Sequence, residues 1–302
     1  MPLVTSHEIF KKAVKEKFAI GAFNANNMEM VSAIIEVAEE EKAPVFLQIS
    51  QGAIKYAGLE MATAMVKTAA ELASVPVILH LDHGTDYYQN IKCLRNGFTS
   101  LMFDGSALPF EKNVEITQKI VDMAHACKLP VEAELGKVPG TEDKLTLEQV
   151  EALKTSVDEA KRFYELTKCD SLAVSVGSVH RMKTSEAKLD IKRVKEIHAE
   201  IPIPLVLHGA SGVAYDSITE AIQNGVCKVN VATQLSLAFI KGAAEALKAK
   251  PDEADVRKIL IKGKDATKAI IRNYVKLFGS CGKGIMEGTQ SKIEKGEVKH
   301  AE

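Results

Sequence analysis

Residues 76–83 read PVILHLDH, an apolar run that follows a proline and ends on an acid and a histidine. A short apolar run that is nearly continuous, rather than alternating with polar residues, is typical of a parallel strand buried on both faces. A buried ionisable group without a partner costs several kcal/mol. We therefore expect Asp82 and His83 either at the open end of this strand or in contact with a bound partner.

Two later stretches have the same form. Residues 171–180 (SLAVSVGSVH) and 204–211 (PLVLHGAS) are apolar runs that also finish on or near a histidine. If the three runs are strands of one sheet, His83, His180 and His208 meet at one end of it. Three imidazoles with an open fourth position are the usual ligand set of a catalytic zinc ion. The sequence therefore predicts a Zn²⁺ site made by these three histidines.

Composition restricts the class of protein. The chain has 302 residues, 46% of them hydrophobic, and a formal net charge of −1. Its basic residues are spread along the whole length, which argues against nucleic-acid binding. Five cysteines far apart, with no C-x-x-C pair, fit reduced thiols. No signal-like or membrane-spanning apolar segment stands out. We expect a soluble, cytoplasmic protein whose partner is a small molecule.

Eight strand-then-helix units follow one another without a break in composition, and this favours a single α/β domain, a (β/α)8 TIM barrel. We expect the barrel over residues 1–284, with extra helices at both ends, the first of them closing the barrel floor. A doubly wound sheet is the second choice. Residues 285–302 form a polar tail that is expected to be disordered. The predicted strands are 19–24, 44–50, 76–83, 100–105, 131–136, 171–180, 204–211 and 227–233.

In a TIM barrel, ligands bind at the C-terminal ends of the strands. This chain is predicted to carry its inward polar residues at those ends and none at the strand starts. The strand-end residues are Asn24, Ser50, Asp82, His83, Asp104, Glu134, His180, His208 and Asn230.

Three polar residues of the predicted strands have more than one interpretation. Asp104 and Glu134 are candidates for a second cation position, for acceptors behind the metal ligands, or for bonds to neighbouring backbone. His80 lies on the same strand face as Asp82, so it either supports the site or is a satisfied core histidine.

The segments HGASG (208–212) and VNVATQ (229–234) follow the predicted strands 7 and 8. Small residues leave backbone N–H groups free to approach an anion, and the loops after these two strands are the usual phosphate site of a TIM barrel. The sequence therefore predicts phosphate binding beside the metal, where a Lewis acid could polarise the carbonyl of a phosphorylated sugar.

Six motifs in this order resemble those of the class II, metal-dependent ketose-bisphosphate aldolases, over about residues 1–284. The similarity is strongest to the branch that acts on tagatose and fructose bisphosphates. The matching segments are LHLDHG, VEAELG with the following GTED, VGSVH, LHGASG, KVNVATQ and LFGSCGK.

The resemblance implies a role for each matched residue. His83, His180 and His208 would bind Zn²⁺, Asp82 would be the acid–base residue for the C4 hydroxyl, and Glu142 would be the mobile carboxylate that takes a proton from dihydroxyacetone phosphate. Asn230 would lie near the enediolate, and Asn24 and Ser50 would touch the sugar. A monovalent cation beside the phosphate is also implied. The residues implied to hold the triose phosphate are Gly209, Ala210, Ser211, Asn230, Val231, Ala232 and Thr233.

Two positions depart from the family pattern. Arg181 follows the second histidine where most relatives have glycine, and it would add a phosphate contact, fill the triose site, or turn away from it. Pro139 replaces the first glycine of the Gly-Gly pair before Glu142, which stiffens that loop.

The sequence thus predicts a homodimeric or homotetrameric zinc aldolase that cleaves fructose 1,6-bisphosphate, with tagatose 1,6-bisphosphate second. Three alternatives stay open: an aldolase for a deoxy-ketonate or sulfo-sugar phosphate, a non-catalytic metabolite-binding relative, and a metal-dependent hydrolase. The hydrolase is disfavoured because such barrels usually carry H-x-H on the first strand, where this chain has Phe23-Asn24.

Overall fold

A computed structural model describes residues 3–139, 146–178 and 186–284. Over this part the expected α/β barrel is confirmed. Eight parallel strands are hydrogen-bonded in the order β3-β2-β1-β8-β7-β6-β5-β4, and a bridge between His80 and Ser100 joins the β3 and β4 edges. The strands are β1 Ile20–Asn24, β2 Val45–Ser50, β3 Val77–Asp82, β4 Leu101–Phe103, β5 Val131–Leu135, β6 Ser171–Val174, β7 Leu205–Leu207 and β8 Val226–Val231.

Helices follow the strands, and several begin at a side-chain cap. Asn27, Asp86, Ser156 and Asp190 each accept a hydrogen bond from a backbone N–H of the first helical turn, which satisfies a donor that the helix leaves unpaired. The helices are α1 His7–Glu16, α2 Met28–Glu40, α3 Gln51–Ala57, α4 Leu59–Leu72, α5 Tyr87–Arg95, α6 Phe110–Ala126, α7 Leu147–Ala152, α8 Val157–Thr167, α9 Ile191–Glu200, α10 Tyr215–Gln223, α11 Thr233–Ala249 and α12 Val256–Leu277.

Two of the histidine-bearing strands are shorter than the sequence predicts. β6 ends at Val174 and β7 at Leu207, so His208 lies in the loop after its strand. Gly177 and Gly209 have φ values of +105° and +68°, which extended backbone does not use, and residues 210–212 form a 3₁₀ turn. The prediction that strands run as far as His180 and Ser211 is therefore wrong.

Helix α1 closes the floor of the barrel, as expected from the sequence. Its buried residues Ile9, Phe10 and Ala13 belong to one apolar cluster with side chains of β1, β2, β3 and β8. The rings of Phe10 and Phe46 have centroids 5.6 Å apart. This cluster seals the end of the barrel opposite the predicted ligand end.

The barrel interior is more polar than the sequence predicts. Gln48, His80, Glu132 and Lys228 are at most 2% exposed, and Glu132 is only the second residue of its strand. The expectation that the lower parts of the strands carry no polar residues is wrong. These side chains are tolerated inside because each has a polar partner: Lys228 contacts His80 and Glu132, and Gln48 donates to Asn24.

The helices beyond β8 pack outside the barrel. α12 contacts α2, where Glu36 lies 2.5 Å from Lys264 and 2.8 Å from Lys268. Within the described ranges, none of the helices combines the length and apolar character needed to cross a membrane. The predicted polar tail, residues 285–302, lies outside the described residues, so the predicted domain limit stays a prediction.

Candidate active site

A cavity of about 500 Å³ opens at the C-terminal ends of the strands. Eleven of the residues singled out in the sequence line it, together with three that were not. The lining residues are Asn24, Ser50, Asp82, His83, Asp104, Ser106, Glu134, Lys137, Val138, Gly209, Ser211, Asn230, Ala232 and Thr233.

Two histidines and a carboxylate come together at this cavity: His83 and Glu134 line it, and His208 lies fully buried beside them. One ligand atom from each of His83, Glu134 and His208 lies within 4.8 Å of the others. Glu134 Oε2 is 3.3 Å from His208 Nδ1 and 3.6 Å from His83 Nδ1, and the two imidazole rings meet edge to face at 4.7 Å. This arrangement resembles the ligand shell of a metal ion.

The turn after β3 aims His83 into the cluster. His83 has a φ of +50°, which is uncommon for a residue with a side chain. At the next position, a Cβ on Gly84 would collide with the backbone oxygen of Met102, so only glycine fits. Asp104 N donates to Gly84 O at 2.8 Å, which ties the ends of β3 and β4 together.

Asp104 lies behind His83. Its Oδ2 is 2.8 Å from His83 Nδ1, and its Oδ1 accepts hydrogen bonds from the backbone N–H and the hydroxyl of Ser106. Both candidates for a second cation position, Asp104 and Glu134, therefore converge on the histidine cluster.

The electrostatics of the cluster favour positive charge. Burial raises the pKa of Glu134 to about 7, and the nearby Asp104 and Glu132 carboxylates act in the same direction. Burial alone would lower the pKa of His83, but Asp82, Asp104 and Glu134 together raise it to about 10. A group of carboxylates that raises the pKa of an imidazole also attracts a metal cation.

The residues present fit a zinc ion. Two imidazoles and one carboxylate are a ligand set that catalytic zinc uses, and three protein ligands leave a position open for substrate. Glu134 Oε2 is buried and accepts no hydrogen bond from the residues that the structure describes. A bound cation would satisfy this oxygen.

Asp82 is held at the cavity wall by amide donors. Asn24 Nδ2 donates to its Oδ2 at 2.7 Å and Asn230 Nδ2 donates to its Oδ1 at 3.2 Å, while Gln48 fixes Asn24 through a 3.0 Å bond. Burial opposes ionisation, but His83, His208 and Lys228 and the Asn24 hydrogen bond together lower the pKa of Asp82. The carboxylate is therefore ionised at neutral pH and can accept a proton.

The segments after β7 and β8 also line the cavity, through Gly209, Ser211, Ala232 and Thr233. Gln234 Nε2, in the first turn of α11, donates to Ser211 O at 3.3 Å and joins that helix to the segment after β7. Thr233 begins the 17-residue helix α11, whose first N–H groups and dipole favour an anion. Ala210 and Val231 belong to the buried core, so they could contact a ligand only through backbone.

Some cavity residues were not predicted. Ser106, Lys137 and Val138 lie just beyond β4 and β5, and the sequence marks only Lys137 and Val138, as the start of the Gly- and Pro-bearing loop that carries Glu142. Lys228 does not line the cavity, but its inward position could have been predicted from the sequence. It precedes Asn230 by two residues on β8 and therefore shares its inward face.

Three predicted site residues, Glu142, His180 and Arg181, lie outside the described residues. Their roles, like the roles assigned to the described site residues, stay predictions.

Comparison with known proteins agrees with the fold and with the motifs. The family model described as fructose-bisphosphate aldolase class-II matches residues 4–283. A fructose-bisphosphate aldolase of Thermus caldophilus is 41% identical over 93% of this chain and 99% of its own length. A sulfofructosephosphate aldolase of Alkalicoccus urumqiensis is 37% identical over 93% of this chain and 98% of its own. The crystal structure of the YdjI aldolase of Escherichia coli K12 superposes with a TM-score of 0.83 at 36% identity, covering 94% of this chain and all of that one.

Proposed function

The chain belongs to the class II fructose-bisphosphate aldolase family, and from that premise we propose that it is a zinc-dependent aldolase that reversibly cleaves fructose 1,6-bisphosphate to dihydroxyacetone phosphate and glyceraldehyde 3-phosphate. Tagatose 1,6-bisphosphate is the second substrate in this proposal. The observation that carries it is the cluster of His83, Glu134 and His208 beside a cavity that the first residue of helix α11, Thr233, also lines.

His83 and His208 would hold the zinc ion together with one third ligand, either Glu134, which lies beside them, or His180, which the family motif implies, so that one position stays open for substrate. Zinc in such a site supplies a Lewis acid that polarises the substrate carbonyl and stabilises negative charge as it develops. The carboxylate of Asp104, 2.8 Å from His83, would hold that ring in place.

The chain's own groups would orient the substrate and move its protons. The N–H groups around Gly209, Ser211 and Thr233 would bind the triose phosphate, and Asn230 and Asn24 would contact the sugar next to Asp82. Asp82, ionised and directed into the cavity, would take the C4 hydroxyl proton during cleavage and return it during condensation. Glu142 would handle the proton on the triose carbon, and backbone carbonyls near the phosphate would bind a monovalent cation.

A second substrate class has its own support. One relative is named sulfofructosephosphate aldolase, and the lining of the cavity includes the cation Lys137. Arg181, next to a predicted metal ligand in sequence, would add a planar guanidinium suited to a phosphate or a sulfonate. A ketose that carries a sulfonate at its far end is therefore the alternative substrate.

The test is a comparison of cleavage rates for fructose 1,6-bisphosphate, tagatose 1,6-bisphosphate and 6-deoxy-6-sulfofructose 1-phosphate, each with and without a chelator. We expect the highest kcat/KM for the fructose substrate and loss of all cleavage on chelation. A higher kcat/KM for the sulfonate would move the assignment to the second class. Cleavage of none of the three would overturn the proposal.

The oligomeric state needs its own measurement. Equilibrium sedimentation of the same sample tests the predicted homodimer or homotetramer.

A further inference from the structure

A second charged layer lies beneath the histidine cluster, inside the barrel. Lys228 Nζ is 2.8 Å from Glu132 Oε2 and 3.1 Å from Glu132 Oε1, and it lies 5.2 Å from the centre of the Phe46 ring. The side chains of Glu132 and Lys228 are 1% and 0% exposed. The pair comes from β5 and β8, which are not neighbours in the sheet.

Stability alone does not explain this pair. Removing two charges from water costs several kcal/mol per ion, and well-packed apolar residues of similar volume often replace a buried ion pair without loss of stability. The interior of a TIM barrel is usually filled by branched apolar side chains. A charged pair at this position therefore calls for another role.

Glu132 also contacts His208. Its Oε1 is 2.9 Å from His208 Nε2. An ionised carboxylate only accepts hydrogen bonds, so Nε2 is the nitrogen that carries the proton and donates to Glu132. His208 Nδ1 is then the nitrogen with the lone pair, and it lies 3.3 Å from Oε2 of Glu134, which lines the cavity.

Lys228 is in turn held by the surrounding side chains. His80 Nε2 lies 3.4 Å from Lys228 Nζ, and His80 Nδ1 lies 2.8 Å from Ser100 Oγ. Because Lys228 can only donate, His80 accepts at Nε2 and donates through Nδ1–H to Ser100. The two oxygens of Glu132 are thereby fixed: Oε2 contacts Lys228, and Oε1 contacts both Lys228 and His208.

We propose that Glu132 and Lys228 are positioning residues for the metal site: Glu132 sets the tautomer and orientation of His208, and Lys228 fixes Glu132 by supplying its counter-charge. The inference rests on the proposed metal-dependent function. A carboxylate behind a metal-bound histidine typically raises metal affinity about 10- to 100-fold. Neither residue touches the cavity, so neither is expected to contact substrate.

The test measures zinc binding directly. Glu132→Gln and the paired variant Glu132→Leu with Lys228→Met are stripped of metal, and their zinc affinity is measured by competition with a chromophoric chelator. The Co²⁺ absorption spectrum and thermal unfolding are recorded on the same samples. The matched control is Glu36→Gln, the same change at a carboxylate that also binds lysines but lies on the outside of the barrel.

We expect Glu132→Gln to bind zinc about 10- to 100-fold more weakly, with an altered Co²⁺ spectrum. The paired variant should fold, because no buried charge is left without a partner, yet its zinc affinity should stay reduced. Glu36→Gln should keep the affinity of the unmodified chain. At saturating zinc, KM should stay close to that of the unmodified enzyme in every variant.

Two results would overturn the inference. One is an unchanged zinc affinity in Glu132→Gln. The other is a paired variant that regains both stability and affinity, since this would leave the pair a purely structural role. A failure of the proposed function would look different, because the unmodified chain itself would then bind no zinc.

Discussion

At the residue scale, Asp82 is the group whose surroundings prepare it best for proton transfer. Three positive or protonatable neighbours and an amide donor lower its pKa, and two amides fix its two oxygens. General acid–base catalysis typically contributes about 10²- to 10⁴-fold to a rate. We expect Asp82→Asn to lose about that factor in kcat for cleavage while its zinc content stays unchanged.

The measurement is steady-state cleavage together with metal analysis of the purified variant. Asp190→Asn is a suitable control, since it makes the same change at a helix N-cap away from the cavity. A kcat for Asp82→Asn within a few fold of the unmodified enzyme would remove Asp82 from the proton-transfer step.

His80 supplies a prediction about pH. Burial, reinforced by Lys228, lowers the pKa of His80 to about 3 in the folded protein, whereas in the unfolded chain it is about 6.5. Between these values the unfolded state binds more protons. The stability that His80 contributes is therefore full above about pH 6.5 and is lost as the pH falls toward 3.

The measurement is the free energy of unfolding of the metal-stripped protein between pH 7.5 and about 4, compared with His80→Gln. The difference between the two proteins should shrink or reverse as the pH falls, by up to about 1.4 kcal/mol per pH unit. A difference that does not depend on pH would mean that His80 titrates alike in the folded and unfolded states.

Single residues also show how far the sequence predicts the site. Asn24, Asp82, His83, Glu134 and Asn230 were identified because they stand at the C-terminal ends of predicted strands, where a barrel binds its ligands, and all of them line the cavity. The contact between Glu132 and Lys228 was not predicted, because it joins strands that are 96 residues apart. Only the closed barrel determines which inward side chains from such strands meet.

At the scale of elements, the turn at His83 and Gly84, directly after β3, determines the orientation of the His83 side chain. A Cβ at Gly84 would collide with the backbone of Met102, which cannot move without disturbing β4. We expect Gly84→Ala to destabilise the protein by about 1 to 3 kcal/mol, the usual cost of overpacking.

Gly52→Ala is the matched control for this change. Gly52 lies in helix α3, and an added Cβ would make only an ordinary contact, 3.7 Å from Ser50 Oγ. Alanine should there be neutral or stabilise the helix by up to about 1 kcal/mol. Thermal unfolding of both variants checks the pair, and a Gly84→Ala protein as stable as Gly52→Ala would contradict the steric account.

Element boundaries were predicted less well than element types. All eight strands were found, but the ends of β6 and β7 were placed too late because the apolar run continues past the last sheet hydrogen bond. Apolar composition reports burial, and residues such as Val176 and Ala210 are buried without belonging to a strand. The positive φ values of Gly177 and Gly209 show where the extended backbone ends.

At the scale of the whole molecule, the repeated strand-then-helix pattern was sufficient to predict the barrel. Burial on both faces of every strand makes the strand runs nearly continuous, and this signal is strong in sequence. The layering inside the barrel was not predictable in the same way. α1 fills the floor with apolar residues, the charged pair of Glu132 and Lys228 occupies the middle, and the cluster of His83, Glu134 and His208 lies above it.

Metal removal decides whether this barrel holds a zinc ion on which cleavage depends. The protein is stripped with a chelator, zinc is titrated back, and fructose 1,6-bisphosphate cleavage is followed together with bound zinc. His208→Gln is compared with His125→Gln, whose partly exposed ring instead bonds Asp170. In the unmodified chain and in His125→Gln, we predict that cleavage disappears when the metal is removed and returns in proportion to bound zinc. In His208→Gln, we predict that added zinc does not restore cleavage. Undiminished cleavage by fully stripped protein would contradict the account.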